Sequence, residues 1–266
     1  MLRRRRCSKF LLRPINSMFS YYGSKSKIVQ YYPQPTHDKI IEPFAGSARY
    51  SLRYWEKDIL LVDKYRVIVD IWHYLQRASQ KDILGLPRLE KGDNIRNFNI
   101  SKEESLFISY LIARGISVPQ YKVGNFNSMD SDLKRIASDL YKIKHWKIIH
   151  CSYEALQNEN ATWFIDPPYQ FGGHKYKEPN KNINFHSLSI WSKSRQGQVI
   201  VCENTKANWL DFKPMIQMQG SMFKTTEAIW TNFPTQYDSI QQELWEGSNK
   251  IMSFNGIHKM AHNVSA

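Results

Sequence analysis

The sequence predicts an α/β fold built on a mostly parallel sheet, with a late antiparallel strand and a mainly helical insertion. Three observations carry that expectation. Short apolar runs alternate with helical patterns, which is how parallel strands joined by crossover helices read. Carboxylates stand at the ends of several of those runs. A basic, strand-poor segment separates the early strands from the later ones.

Taken in order, 39–43 (Lys-Ile-Ile-Glu-Pro) reads as a short buried strand entering a turn, and 45–55 as the helix after it. A second apolar strand, 58–63, ends in Asp63 and leads into a helical stretch at 67–75. Three further strands fall at 146–150, 162–166 and 198–202, and a late one at 225–232 has the look of half a hairpin. Between them, 71–147 is expected to be mostly helical, with helices at 103–113 and 130–144. The expected division is a basic disordered extension at 1–17, a catalytic domain from 18–70 and 148–266, and an insertion at 71–147.

The 266 residues, 42% hydrophobic and 14% aromatic, suffice for a full core. No run of eighteen apolar residues is present, so no membrane span or membrane partner is expected. Cys7, Cys151 and Cys202 stand far apart without a CxxC pair, and no histidine pair has metal-ligand spacing. Disulfide and zinc frameworks therefore lack support, and a reducing cytoplasm fits.

The net charge of +13 is unevenly placed. Residues 1–17 hold six basic and no acidic side chains, and 71–147 hold thirteen Lys/Arg against eight Asp/Glu. The remainder is nearly neutral. A polyanion such as nucleic acid suits this distribution; solubilising surface charge is the plainer account.

The strongest chemical feature is Asp166-Pro167-Pro168-Tyr169 at the end of an apolar run. Ligands of open parallel sheets bind beyond the carboxyl ends of strands, so these residues project into such a site. Two consecutive prolines stiffen the backbone and offer no N–H donors. The Asp166 carboxylate and the Pro167 carbonyl can each accept a hydrogen from an amino group on a flat base, with Tyr169 stacking on the ring. That arrangement draws the amino nitrogen toward tetrahedral geometry by positioning and preorganised electrostatics, with no metal. An ordinary strand-ending turn would use the same residues.

Ile40-Ile41-Glu42-Pro43-Phe44-Ala45-Gly46-Ser47-Ala48 adds a strand, a tight turn and a helix start. Gly46 permits close backbone approach, and Glu42 can meet a cationic or hydroxyl group. Asp63 can grip ribose hydroxyls or cap a helix. Tyr21-Tyr22-Gly23-Ser24-Lys25 offers rings, a glycine and a cation that can close over a nucleoside.

Together, and in this order, these elements resemble the Dam-type, alpha-group family of adenine-N6 DNA methyltransferases, over about 19–66 and 150–235. The resemblance implies a Rossmann-like class I methyltransferase fold with a target-recognition insertion. It implies S-adenosyl-L-methionine as cofactor, held by Tyr21, Tyr22, Gly23, Lys25, Glu42, Phe44, Gly46, Asp63 and Asp166. Asp166, Pro167, Pro168 and Tyr169 would be catalytic, and the segment from Cys151 to Tyr153 would meet the cofactor's adenine. The late strand from Glu227 would lie near the target base.

The partner would be double-stranded DNA with an adenine-containing site, its target base flipped out of the stack. Arg114, Lys122, Asn125 and Asn127 would contact it, and a mobile loop at 172–177 would fold over the substrate. The expected setting is the cytoplasm of a bacterial or phage-infected cell, as a monomer, with or without a companion restriction endonuclease. RNA adenine-N6 methylation is the alternative, and a non-catalytic nucleic-acid-binding relative another.

Overall fold

The computed structural model describes residues 17–125, 129–219 and 224–237. The extension expected at 1–17 lies outside them except for Ser17, as does Asn127. Seven strands form one sheet: β1 (Lys39–Glu42), β2 (Asp58–Asp63), β3 (Lys147–His150), β4 (Ala161–Ile165), β5 (Gly197–Asn204), β6 (Lys213–Gln219) and β7 (Lys224–Thr231). Their spatial order is β3-β2-β1-β4-β5-β7-β6. The first five are mutually parallel, and β7 runs antiparallel between β5 and β6. This is the expected Rossmann-like fold, a mostly parallel sheet with a late antiparallel strand, and that strand is one half of a β6–β7 hairpin.

Alternation along the central strands divides the core into two layers. Ile40, Ile59, Leu61, Phe164, Ile200 and Cys202 face one side. Ile41, Leu60, Val62, Trp163, Ile165, Val199 and Val201 face the other. Both faces must be covered, which is why these strands are nearly continuous apolar runs. Each fully buried branched side chain contributes about 1.5–3 kcal/mol.

The six α-helices among the described residues are α1 (Arg49–Arg53), α2 (Arg66–Arg77), α3 (Gln80–Leu84), α4 (Lys102–Ile112), α5 (Met129–Asp139) and α6 (Phe185–Lys193). In α2, Ile68, Ile71, Trp72 and Leu75 recur at spacings of three and four and are all buried. α3 and α4 begin with reciprocal caps, Ser79 with Asp82 and Ser101 with Glu104. The 130–144 pattern is α5 followed by a 3₁₀ turn at Leu140–Ile143.

The helix expected over 45–55 shrinks to the five residues of α1. Gly46 and Ala48 take left-handed φ values of 46° and 45°, which no right-handed helix accommodates. The chain instead turns sharply twice before α1 begins.

Residues 71–147 are mainly helical and share one core with the sheet. The 71 boundary falls inside α2, and Trp72, Phe107, Ile108, Tyr110 and Ile136 belong to the same buried cluster as Ile40 and Phe164. Met18 and Phe19 join it too, each only 1% exposed, and the Arg135 guanidinium donates to the Ser17 carbonyl at 2.6 Å. Opposite, α6 covers the second layer through Leu188. Among the described residues no helix is long and apolar enough to cross a membrane.

Candidate functional site

Glu42 ends β1, Asp63 ends β2, Asp166 follows β4, and Glu203 lies at the penultimate position of β5. The chain order reverses between β1 and β4, so these carboxylates gather at the topological switch point of the sheet. A cleft open to solvent lies there. Tyr21, Tyr22, Gly23, Lys25, Glu42, Phe44, Gly46, Asp63 and Asp166 all line it, as do Pro168, Ser152 and Tyr153. Cys151 is not in the lining.

Asp63 reaches back over the turn after β1. Its Oδ2 accepts the Gly46 N–H at 3.0 Å and its Oδ1 the Tyr65 N–H at 2.8 Å. The N-cap of α2 is Tyr65 and no side chain caps that helix, so Asp63 is not its cap but braces the two turns that flank β2. Burial raises its pKa to about 6 against those two hydrogen bonds and the charge of His150. Gly46 sits under Tyr21: a Cβ there would meet the ring at 3.1 Å, besides requiring the left-handed backbone. The Trp72 indole pins the same turn by donating to the Gly46 carbonyl at 2.9 Å.

Glu42 is 2% exposed and accepts the Ser51 N–H at 2.6 Å. Burial pushes its pKa up to about 8, against the hydrogen bonding from Ser51 and aided by the Asp166 charge. A cation entering the cleft would favour the ionised form, so Glu42 suits a positively charged ligand.

Lys25 lies deep in the site. Its ammonium is 3.0 Å from Asp166 Oδ1, donates to the Tyr169 hydroxyl at 2.6 Å, and lies 3.6 Å from Glu227 Oε1. Burial disfavours the lysine charge, but Asp166 and Glu227 outweigh it and its pKa is raised. Asp166 has its pKa raised to about 6 by burial, with Lys25 pulling it down and Glu227 pushing it up.

The structure separates the four residues after β4. Asp166 and Pro168 line the cleft; Pro167 is buried and Tyr169 half-buried, neither in the lining. The Tyr169 hydroxyl donates to Glu227. Backbone beyond it is fixed by Glu203, which accepts the Gln170 N–H at 2.5 Å and the Trp209 indole at 3.2 Å. The loop then folds back, Gly173 N–H donating to the Tyr169 carbonyl at 3.0 Å. A Cβ on Gly173 would fall 2.8 Å from the Pro168 backbone, so glycine is required there.

Sequence reasoning missed Tyr176, Tyr32, Glu203 and Arg49. Tyr176 lines the cleft, its ring 5.0 Å from Tyr22 and 5.9 Å from Tyr21, its hydroxyl above Gly23. The loop at 172–177 was expected to cover the substrate, and in this structure it places Tyr176 in the cleft. Arg49 donates to the Ser24 hydroxyl at 2.8 Å. No motif marks any of these. Glu203 does stand at the end of an apolar run, the one signal that could have found it.

Arg114, Lys122 and Asn125 are exposed. Lys122 forms a backbone bridge with Asn94, and nearby the Arg96 guanidinium lies 3.9 Å from the Tyr121 ring centroid. Among the described residues no three His, Cys, Asp or Glu side chains group as metal ligands would.

No protein-family model matches the chain, and no curated protein is similar to it in sequence. Similar solved structures include a conserved hypothetical protein of Streptococcus pyogenes (TM-score 0.30, 10% identity, 75% of this chain and 88% of that one). They also include the "putative methyltransferase yhhF" of Escherichia coli (TM-score 0.30, 9% identity, 77% and 78% covered). A third is the "putative methylase HI0767" of Haemophilus influenzae (TM-score 0.32, 9% identity, 77% and 84% covered). Likeness at these values supports no inference about activity.

Proposed function

We propose that this chain transfers the sulfonium methyl of S-adenosylmethionine to the exocyclic amino nitrogen of adenine in DNA. One observation carries the reading: Asp166, directly after β4, opens into the same cleft as Glu42, Gly46 and Asp63 at the ends of β1 and β2. The carboxylate proposed to meet the base and the residues proposed to hold the cofactor thus line one cleft.

The cleft fits such a cofactor by its chemistry. Both Asp63 oxygens retain a free acceptor direction after their backbone bonds, enough for ribose hydroxyls. Phe44 and Tyr153, with ring centroids 5.4 Å apart, offer apolar surface for a purine. Glu42 and Asp166 favour a cationic group. When bound, the cofactor supplies an electrophilic methyl group.

Asp166 orients the target amino group as an acceptor and stabilises the positive charge that grows on nitrogen. By the resemblance alone, the Pro167 carbonyl would be the second acceptor and Tyr169 would flank the base, although neither lines the cleft. The base must leave the duplex to reach Asp166. The basic side chains of 71–147, Arg114 and Lys122 among them, would neutralise phosphates there, and the Asn125 amide would donate a hydrogen bond. Asn127 belongs to the same proposed surface by sequence alone. A monomer suffices for one transfer.

Labelled S-adenosylmethionine incubated separately with DNA and RNA, followed by nucleoside analysis, tests the reading. N6-methyladenine in DNA, lost in Asp166→Ala, is the expected result. Label in RNA alone moves the substrate, and no label in either refutes the activity.

A further inference from the structure

We propose that Glu227 of β7 is a positioning residue for methyl transfer, anchoring the Tyr169 hydroxyl and sharing the Lys25 ammonium with Asp166. The catalytic consequence rests on the adenine-methyltransferase reading above.

β7 pairs antiparallel with β5 and sets Glu227 opposite Asn204, at the carboxyl end of the parallel strands. The carboxylate is 3% exposed. Its Oε1 accepts from the Tyr32 hydroxyl at 2.5 Å and from the Tyr169 hydroxyl, with the Lys25 ammonium 3.6 Å away. Lys25 in turn reaches Tyr169 and Asp166. A continuous chain of contacts therefore runs Tyr32–Glu227–Tyr169–Lys25–Asp166, joining a strand the proposed chemistry does not touch to the carboxylate that it does.

Two consequences follow from this geometry. The Tyr169 ring is held at its far end as well as by the prolines before it, so its plane is fixed before a base arrives. Two carboxylates also divide one ammonium, so Lys25 is not committed to neutralising Asp166, which must accept a hydrogen from the target. Without the Glu227 charge Lys25 would pair with Asp166 alone. An apolar residue at 227 would strand the Tyr32 and Tyr169 hydroxyls in a buried site.

Several groups face this pair. Lys25, Tyr32, Tyr169, Tyr176 and Cys202 approach both carboxylates, and Glu42 of β1 faces Asp166. Among them Glu227 is a negative charge that pushes the Asp166 pKa up. Removing that charge while keeping the acceptor, as in Glu227→Gln, moves Asp166 ionisation to lower pH.

The test compares the full chain with Glu227→Gln, Tyr169→Phe and the double variant in single-turnover methylation of an adenine-containing DNA duplex. Each single variant is expected to lose roughly 10- to 100-fold in rate, with S-adenosylmethionine affinity changed by no more than about twofold. The losses should combine less than multiplicatively in the double variant, because Glu227→Gln weakens the contact that Tyr169→Phe removes. The acid limb of the rate should move to lower pH in Glu227→Gln and stay in Tyr169→Phe. Multiplying losses, or an unmoved acid limb in Glu227→Gln, overturns the proposal.

If the wild type methylates no nucleic acid, the functional reading fails, and the tether is judged alone by ¹³Cζ-tyrosine NMR. The Tyr169 resonance, assigned by its loss in Tyr169→Phe, should move in Glu227→Gln. A stationary resonance refutes the tether whatever the activity.

Discussion

The Lys25 ammonium lies 3.0 Å from the Asp166 carboxylate, joining the segment before β1 to the residue after β4. Both side chains are largely withdrawn from solvent, at 9% and 21% exposure. The pair therefore bears on stability as well as on chemistry, and the two contributions can be separated.

Replacing Lys25 by Met should destabilise the fold by about 3–5 kcal/mol, because it leaves Asp166 and Glu227 buried without their cation. Urea unfolding measures this directly. A loss below about 1 kcal/mol would mean that water reaches the carboxylates and screens them.

Asp166→Ala should abolish methyl transfer while DNA affinity stays within a few-fold, since phosphate contacts would lie on the basic surface of 71–147. Filter binding beside a methylation assay reads both quantities. Near wild-type methylation would remove Asp166 from the chemistry.

The ionised Asp166 carboxylate only accepts, whereas the protonated acid turns one oxygen into a donor and is the weaker acceptor, and its pKa is raised to about 6. The transfer rate at saturating cofactor should thus fall as pH drops through the Asp166 pKa, which the cationic cofactor holds below its ligand-free value. Asp63 is also raised to about 6, but it would act on cofactor binding and so appear in kcat/KM rather than in kcat. A kcat that rises as pH falls would contradict the acceptor role.

Glu42 has a folded pKa raised from 4.5 to about 8. The folded state therefore holds a proton that the unfolded chain releases, and the associated stability is present below 4.5 and lost as pH rises through 8. Glu42→Gln should raise the melting temperature by about 2–4 °C at pH 8, leave it unchanged at pH 4.5, and weaken S-adenosylmethionine binding. Equal melting curves at pH 8 would show that the carboxylate is not strained by burial.

Gly23 has φ +74°, and a Cβ there would stand 1.9 Å from the Tyr176 hydroxyl. Gly23→Ala should expel the Tyr176 ring from the cleft. Tyr176→Phe, which shortens the side chain at that point, should recover part of the lost cofactor affinity in the double variant. Calorimetric titration of the two variants distinguishes this from general damage, which Tyr176→Phe would not repair.

Sequence alone determined the sheet and most of the cleft wall. Parallel strands buried on both faces must be short apolar runs, and the carboxylates that end them must face the ligand side, so Glu42, Asp63 and Asp166 were legible from position. The turn after β1 was legible only in part: Gly46 announced it, but the left-handed Ala48 that shortens α1 has no sequence signal. Only the tertiary structure decided what surrounds Lys25. Glu227, Tyr32 and Tyr169 come from separate parts of the chain, and nothing local to any of them specifies the others. Their meeting depends on β7 entering antiparallel beside β5, which turns Glu227 toward the mouth of the sheet instead of its base. Likewise Tyr176 reaches the cleft because Gly173 lets its loop lie against Pro168. Periodicity reports which face of an element is buried; which buried groups become neighbours is fixed by how the elements pack.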